Sequence, residues 1–109
     1  MKRVILESPF AGNSQRNIAY GRKAVRDSLC RGEAPIASHL LYTQDGILND
    51  DNAKDRLLGI NAGLSWCDVS EGTVVYADWG ITKGMEYGIA RAKEAGKIVD
   101  IRYLYGRKK

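Results

Sequence analysis

Residues 73–84, Thr73-Val74-Val75-Tyr76-Ala77-Asp78-Trp79-Gly80-Ile81-Thr82-Lys83-Gly84, decide how the chain folds. Thr73 to Ala77 is nearly all apolar and rich in β-branched and aromatic residues, as a strand buried on both faces of a parallel sheet should be. The run stops at Asp78, and turn formers follow. A helix is then expected from about Lys83 to Ala95, ended by Gly96. A buried strand, a short polar loop and a helix make half of a β-α-β unit.

The same alternation extends in both directions. Toward the amino terminus, Arg3 to Ser8 reads as a first strand around Val4-Ile5-Leu6. The turn-rich segment Ser8-Pro9-Phe10-Ala11-Gly12-Asn13-Ser14 follows it. A helix is expected from about Asn17 to Arg31, with Ile18, Gly21, Val25 and Leu29 on one stripe and Gly32 as its stop. Ala34 to Leu41 is the second strand candidate, with Pro35 tolerated at its start. The polar loop Gln44 to Asn52 leads into a helix from Ala53 to Val69, capped by Asn52 and burying Leu57, Ile60, Leu64 and Cys67. Lys97 to Leu104 closes the series as a fourth strand. The order βαβαβαβ predicts one doubly wound α/β domain over residues 1–109, with a mostly parallel sheet covered on both faces. Ligands of such sheets sit at the carboxyl ends of the strands, so three loops matter: 8–14, 38–43 and 78–84.

Composition fits one globular domain: 109 residues, 44% hydrophobic and 28% charged. A membrane-spanning run and a signal-peptide pattern are both missing, so a cytoplasmic protein is expected. Cys30 and Cys67, each in an expected helix, read as buried reduced thiols. The net charge of +4 is unevenly spread. Residues 1–31 carry seven basic and two acidic groups, residues 32–78 two and eight, and residues 79–109 eight and three. Two basic thirds favour an anionic ligand, and a solvated face with a basic tail over residues 105–109 explains the same counts. Nothing interleaves aromatic and basic residues as single-strand binders do, which argues against nucleic acid.

The chemistry-bearing residues cluster in the three loops. Asp78 at a strand end can accept hydrogen bonds from sugar hydroxyls. Gly80 and Gly84 permit close backbone approach, and Thr82, Lys83 and Met85 stand at a helix start, where free N–H groups attract anions. Ser8, Pro9, Phe10, Gly12 and Asn13 offer a hydroxyl, an aromatic face for a base and exposed N–H groups, with Arg16 placed to meet an anion. Ser38 and His39, the single histidine, sit at the edge of the same region. A Ser–His–Asp set can be drawn from Ser8 or Ser38 with His39 and Asp78. Ser38 and His39 as strand neighbours would face opposite ways, which makes that pairing poor. GxGxxG, Walker and CxxC motifs are missing, Asp45, Asp50 and Asp51 do not have EF-hand spacing, and one histidine without clustered ligands argues against a metal. No cofactor is expected.

Taken together, Ser8-Pro9-Phe10, Pro35-Ile36-Ala37-Ser38-His39-Leu40-Leu41-Tyr42-Thr43 and Asp78-x-Gly80-Ile81-Thr82-x-Gly84-Met85-x-x-Gly88-Ile89-x-x-Ala92 resemble small bacterial and phage proteins related to the nucleoside 2-deoxyribosyltransferases. The resemblance spans nearly the whole chain. It implies a flavodoxin-like (Rossmann-like) fold, a nucleoside or nucleotide ligand and a homo-oligomer. In those enzymes a glutamate on the third helix attacks the anomeric carbon while an aspartate in the preceding loop holds the sugar. The glycosidic bond is then hydrolysed or passed to another base. Asp78 matches the aspartate. The glutamate is where this chain departs: aligned on Ile89 and Ala92, Gly88 takes the nucleophile position, whereas aligned on Glu-x-Gly-x-Ala, Glu86 takes it. The two choices lie about 200° apart around a helix, and the apolar stripe Met85, Gly88, Ile89, Ala92 favours the first. Three readings follow: an N-glycosidic hydrolase or transferase using Glu86 and Asp78 with a base-side contact from His39 or Tyr42; a protein that binds a nucleotide without cleaving it, such as a phage-type protein sequestering a nucleotide signal in the host cytoplasm; and an interaction module with a vestigial site.

Overall fold

A computed structural model of the chain describes residues 1–106, so Arg107, Lys108 and Lys109 of the basic tail lie outside the described residues. Four strands, β1 (Lys2–Glu7), β2 (Glu33–Ile36), β3 (Gly72–Tyr76) and β4 (Ile98–Arg102), pair in parallel in the order β2-β1-β3-β4. Between them run α1 (Ser14–Cys30), the single turn α2 (Ser38–Leu41), α3 (Ala53–Ser65) with a 3₁₀ turn at Trp66–Val69, and α4 (Lys83–Glu94). This is the doubly wound, flavodoxin- or Rossmann-like α/β architecture that the strand and helix pattern predicts. The chain moves one way along the sheet after β1 and the other way after β2. Right-handed crossovers therefore set α1 on one face and α3 and α4 on the other. The reversal falls between β1 and β3, the point in open α/β sheets where ligands bind at the carboxyl ends of the strands.

Strand alternation divides the core in two. Val4, Leu6, Val74 and Tyr76 pack with Tyr20 and Ala24 of α1. On the other face Val75 and Ala77 pack with Met85 of α4, joined by Ile89, Val99 and Tyr103. Each fully buried side chain of this size contributes about 1.5–3 kcal/mol. Beside the α1 core lies a buried ionic network. Arg102 grips Glu33 through both terminal nitrogens at 2.8 and 2.7 Å, and Ser28 donates to the same carboxylate at 2.7 Å. The Arg102 guanidinium holds the Glu33 carboxyl down at about 2 despite its burial. The network joins the two edge strands to the end of α1. Removing one partner would leave a buried charge alone, a loss of about 3–5 kcal/mol.

The structure corrects several local expectations. The second strand ends at Ile36, and Ser38 to Leu41 form a helical turn instead of more strand. A short apolar run does not distinguish the two, and here β2 leaves β1 after Ile36, opposite Ile5, although β1 itself runs on to Glu7. Helix α1 begins at Ser14, three residues before the expected start, because Asn13 caps it by accepting from the Arg16 N–H at 3.1 Å. Its inward side is Asn17, Tyr20, Gly21, Ala24 and Ser28, while Leu29 is exposed. α3 buries none of its residues, and Leu57 and Ile60 of the expected core stripe are exposed. It is seated through small residues: a Cβ on Gly63 would collide with Ser38, and one on Gly59 would press on Leu48. Of the two free cysteines, Cys67 is buried as expected but Cys30 is exposed.

Candidate functional site at the carboxyl ends of the strands

The three expected loops do meet at one end of the sheet. From the first, Ser8 and Pro9 are buried and Phe10 is partly covered. Gly12, at φ 99, takes a left-handed turn that a side chain would disfavour, and Asn13 then caps α1. Asn17 reaches back from α1 and donates to the Phe10 and Ala11 carbonyls at 3.1 and 3.0 Å, so the loop is fixed from below. Gly80, at φ 90, makes the corresponding turn in the third loop. Thr82 caps α4, its side chain accepting from the Met85 N–H at 3.3 Å. Gly84 is exposed at the first turn of α4 and Met85 is buried beneath it.

Because Ser38 and His39 lie on a helical turn, the pairing differs from that of a strand. Ser8 Oγ and His39 Nε2 stand 2.6 Å apart, across thirty-one residues of sequence. Phe10 meets the His39 ring edge-on with centroids 6.4 Å apart. Burial pushes the imidazole down to about 4, so it is neutral near pH 7 and can accept the Ser8 proton. Ser38 packs on Gly63 of α3 instead. A cavity of about 90 Å³ opens beside this group, lined by Phe10, Ser38, His39, Tyr42, Arg56 and Ile60 among others. It has room for part of a small ring system, not for a whole nucleoside.

Asp78 does not join His39. Its Oδ1 accepts from Tyr20 Oη at 2.5 Å and from the Leu104 N–H at 2.8 Å, and its Oδ2 from the Tyr105 N–H at 3.0 Å. Burial pushes the carboxyl up, but the hydrogen bonds from Tyr20 and the backbone outweigh it and hold the group below its ordinary value. Asp78 thus clamps the segment after β4 onto α1. Next to it Trp79 is 44% exposed, with Tyr20 and Tyr105 at centroid distances of 5.8 and 6.4 Å and the Arg16 guanidinium 5.0 Å over its ring. An aromatic face with a cation on it lies at the site's rim.

Helix α4 buries Met85, Gly88 and Ala92 and leaves Glu86 exposed, so Gly88 faces the sheet. What faces Gly88 is a carboxyl that sequence reasoning missed. Glu7 ends β1, level with Val75 of β3, at the reversal point of the sheet. A Cβ on Gly88 would overlap Glu7 Oε2, with Oε1 3.2 Å away. Burial alone pushes Glu7 up to about 8, with no hydrogen bond or charge opposing it, yet the residue stays partly exposed. One pleat below on the same face, Thr73 Oγ1 is buried without a hydrogen-bond partner. The available signal for Glu7 was a lone carboxylate closing the apolar run Val4-Ile5-Leu6 directly before a turn.

These residues build a doubly wound α/β domain of four parallel strands, with its polar and aromatic groups gathered at the strand ends. Within that class, residues 2–102 match the family described as Domain of unknown function (DUF7768), and the chain belongs to it. No curated protein matches the chain.

Proposed function

We propose that the protein binds a nucleoside or nucleotide over the carboxyl ends of β1 and β3. The observation that carries this reading is the convergence of the 8–13 and 78–82 loops on the β1/β3 reversal, with Phe10 and His39 on one side and Trp79 under Arg16 on the other. A base would stack at Phe10 or Trp79, the sugar would lie above Glu7, and Arg16 would meet a phosphate. The N-glycosidic bond would then lie beside the uncommitted Glu7 carboxyl, a group suited to assisting its cleavage or transfer. The test is thermal stabilisation by a panel of nucleosides, 5′-monophosphates and cyclic nucleotides, followed by chromatography of each mixture. Stabilisation by at least one of them, reduced by Trp79→Ala or Arg16→Ala, supports the reading; no stabilisation by any of them rejects it.

A second reading, binding without cleavage, is favoured by one observation. Glu86 is exposed on α4, and Gly88 takes the inward position a helix-borne nucleophile would need. In that reading the protein holds a nucleotide signal intact, and the chromatogram shows unchanged ligand. We also propose self-association. Leu57 and Leu58 of α3 are each 59% exposed, more than an isolated helix face in water favours. Light scattering should give at least twice the monomer mass at micromolar concentration; the monomer mass would refute it.

A further inference from the structure

We propose that Glu7 is the proton-donating catalytic carboxyl of this site, protonating the departing base of a nucleoside as its N-glycosidic bond breaks. The inference rests on the reading that a nucleoside or nucleotide binds at the strand ends. It adds chemistry that the binding reading does not require.

The geometry selects Glu7 by position. It is the last residue of a central strand, on the reversal point of the sheet, and its carboxyl rests on the bare backbone of Gly88. The other carboxylates nearby are committed or turned away. Asp78 spends both oxygens on Tyr20 and two backbone N–H groups. Glu33 is gripped by Arg102 and Ser28, and Asp27 by Tyr76 and Arg31. Glu86 is exposed on the outer side of α4. Glu7 alone in this set combines partial exposure with surroundings that offer no donor and no charge. A purely structural residue gains nothing there, since a neutral apolar side chain would fill the same space at lower cost.

The same surroundings keep the carboxyl protonated at neutral pH, the state a general acid needs. The step balances as follows. The C1′–N bond breaks and its electron pair stays with the base. The Glu7 O–H bond breaks, and its proton goes to a base nitrogen, so the base leaves neutral. Water then adds through oxygen to C1′ on the face the base has vacated and returns one proton to the Glu7 carboxylate. The products are free base and the sugar with a hydroxyl at C1′.

The test compares wild type with Glu7→Gln on two kinds of substrate. Inosine, adenosine and their 5′-monophosphates need a proton on the leaving base. The N7-methylated analogues carry a cationic base that leaves without one. Gln keeps the size and polarity of the side chain but cannot donate an acidic proton, and the variant should fold and be stabilised by ligand as wild type is. Base release from the unmethylated substrates should fall roughly 10²–10⁴-fold, while release from the methylated ones changes by less than about tenfold. Equal losses on both substrate kinds, or unchanged release from the unmethylated ones, would overturn the assignment. So would a wild type that is stabilised by ligand yet frees no base, an outcome that leaves the binding reading standing. Absence of any stabilisation removes the binding reading and this inference with it.

Discussion

Single residues carry two departures from an economical core. Glu7 places a carboxyl where burial pushes it up to about 8 from an ordinary value of 4.5. Raising the folded value above the unfolded one means that the folded chain holds the proton longer. Stability is therefore full below about pH 4.5 and is lost as pH rises toward 8. Glu7→Gln should match wild type near pH 4.5 and exceed it at pH 9 by roughly 2–4 kcal/mol, the partial exposure of the group reducing the full effect of its shift. Urea midpoints at the two pH values check this, and an equal gap at both would contradict it. His39 works in the opposite direction. Its folded value of about 4 lies below the ordinary 6.5, so its contribution is lost as pH falls from 6.5 toward 4. That loss is common to both proteins and cancels in the comparison. Thr73 is the second departure, a buried hydroxyl with no partner. Thr73→Val keeps the shape and removes the unsatisfied group, so it should stabilise by about 1 kcal/mol. A fall in melting temperature would show that Oγ1 is satisfied in solution.

At the scale of elements, α4 and β1 fit each other through a glycine. Gly88→Ala raises helix propensity by about 1 kcal/mol, but its Cβ needs the space that the Glu7 carboxyl fills. The flexible end of Glu7 should swing toward solvent and titrate near its ordinary value, so the variant should fold and lose the pH-dependent gap described above. If its stability still falls between pH 4.5 and 8 as wild type does, the carboxyl does not rest on Gly88. This contact also marks the limit of what the sequence discloses. Thr73 to Ala77 announced a buried parallel strand and Lys83 a helix start, because apolar runs and capping residues are local signals. The apolar stripe on α4 likewise turned Gly88 inward. The meeting of Glu7 with Gly88, or of Ser8 with His39, depends on which strands lie side by side, and no local pattern encodes that. Leu40-Leu41 misled for a related reason: an apolar pair fits strand and helix equally, and Leu40 reaches the core beside Gly21 from a helical turn. In α1 the inward side also carries Asn17, Tyr20 and Ser28, polar groups satisfied by the loop, Asp78 and Glu33, so apolar periodicity found Gly21 and Val25 on the core side but missed these and misplaced Leu29, which is exposed.

On the scale of the whole molecule, the fold separates its duties. The Arg102–Glu33 pair and the two cores hold four strands in one sheet, while the strand ends collect groups that stability alone does not explain: Glu7, the Ser8–His39 pair and the Trp79–Arg16 stack. The helices add nothing that crosses a membrane, since none among the described residues is long and apolar enough. The central claim is one of place: a nucleoside or nucleotide sits on the strand ends at the β1/β3 reversal. Titrating ¹⁵N-labelled protein with the most stabilising member of the nucleoside and nucleotide panel, and following each backbone amide by NMR, tests it most directly. The amides of residues 7, 8, 10–13, 38–39, 78–82 and 88 should shift with a single saturating curve. Shifts confined to α3 and the 43–50 loop, or no saturating shifts at millimolar ligand, would contradict it.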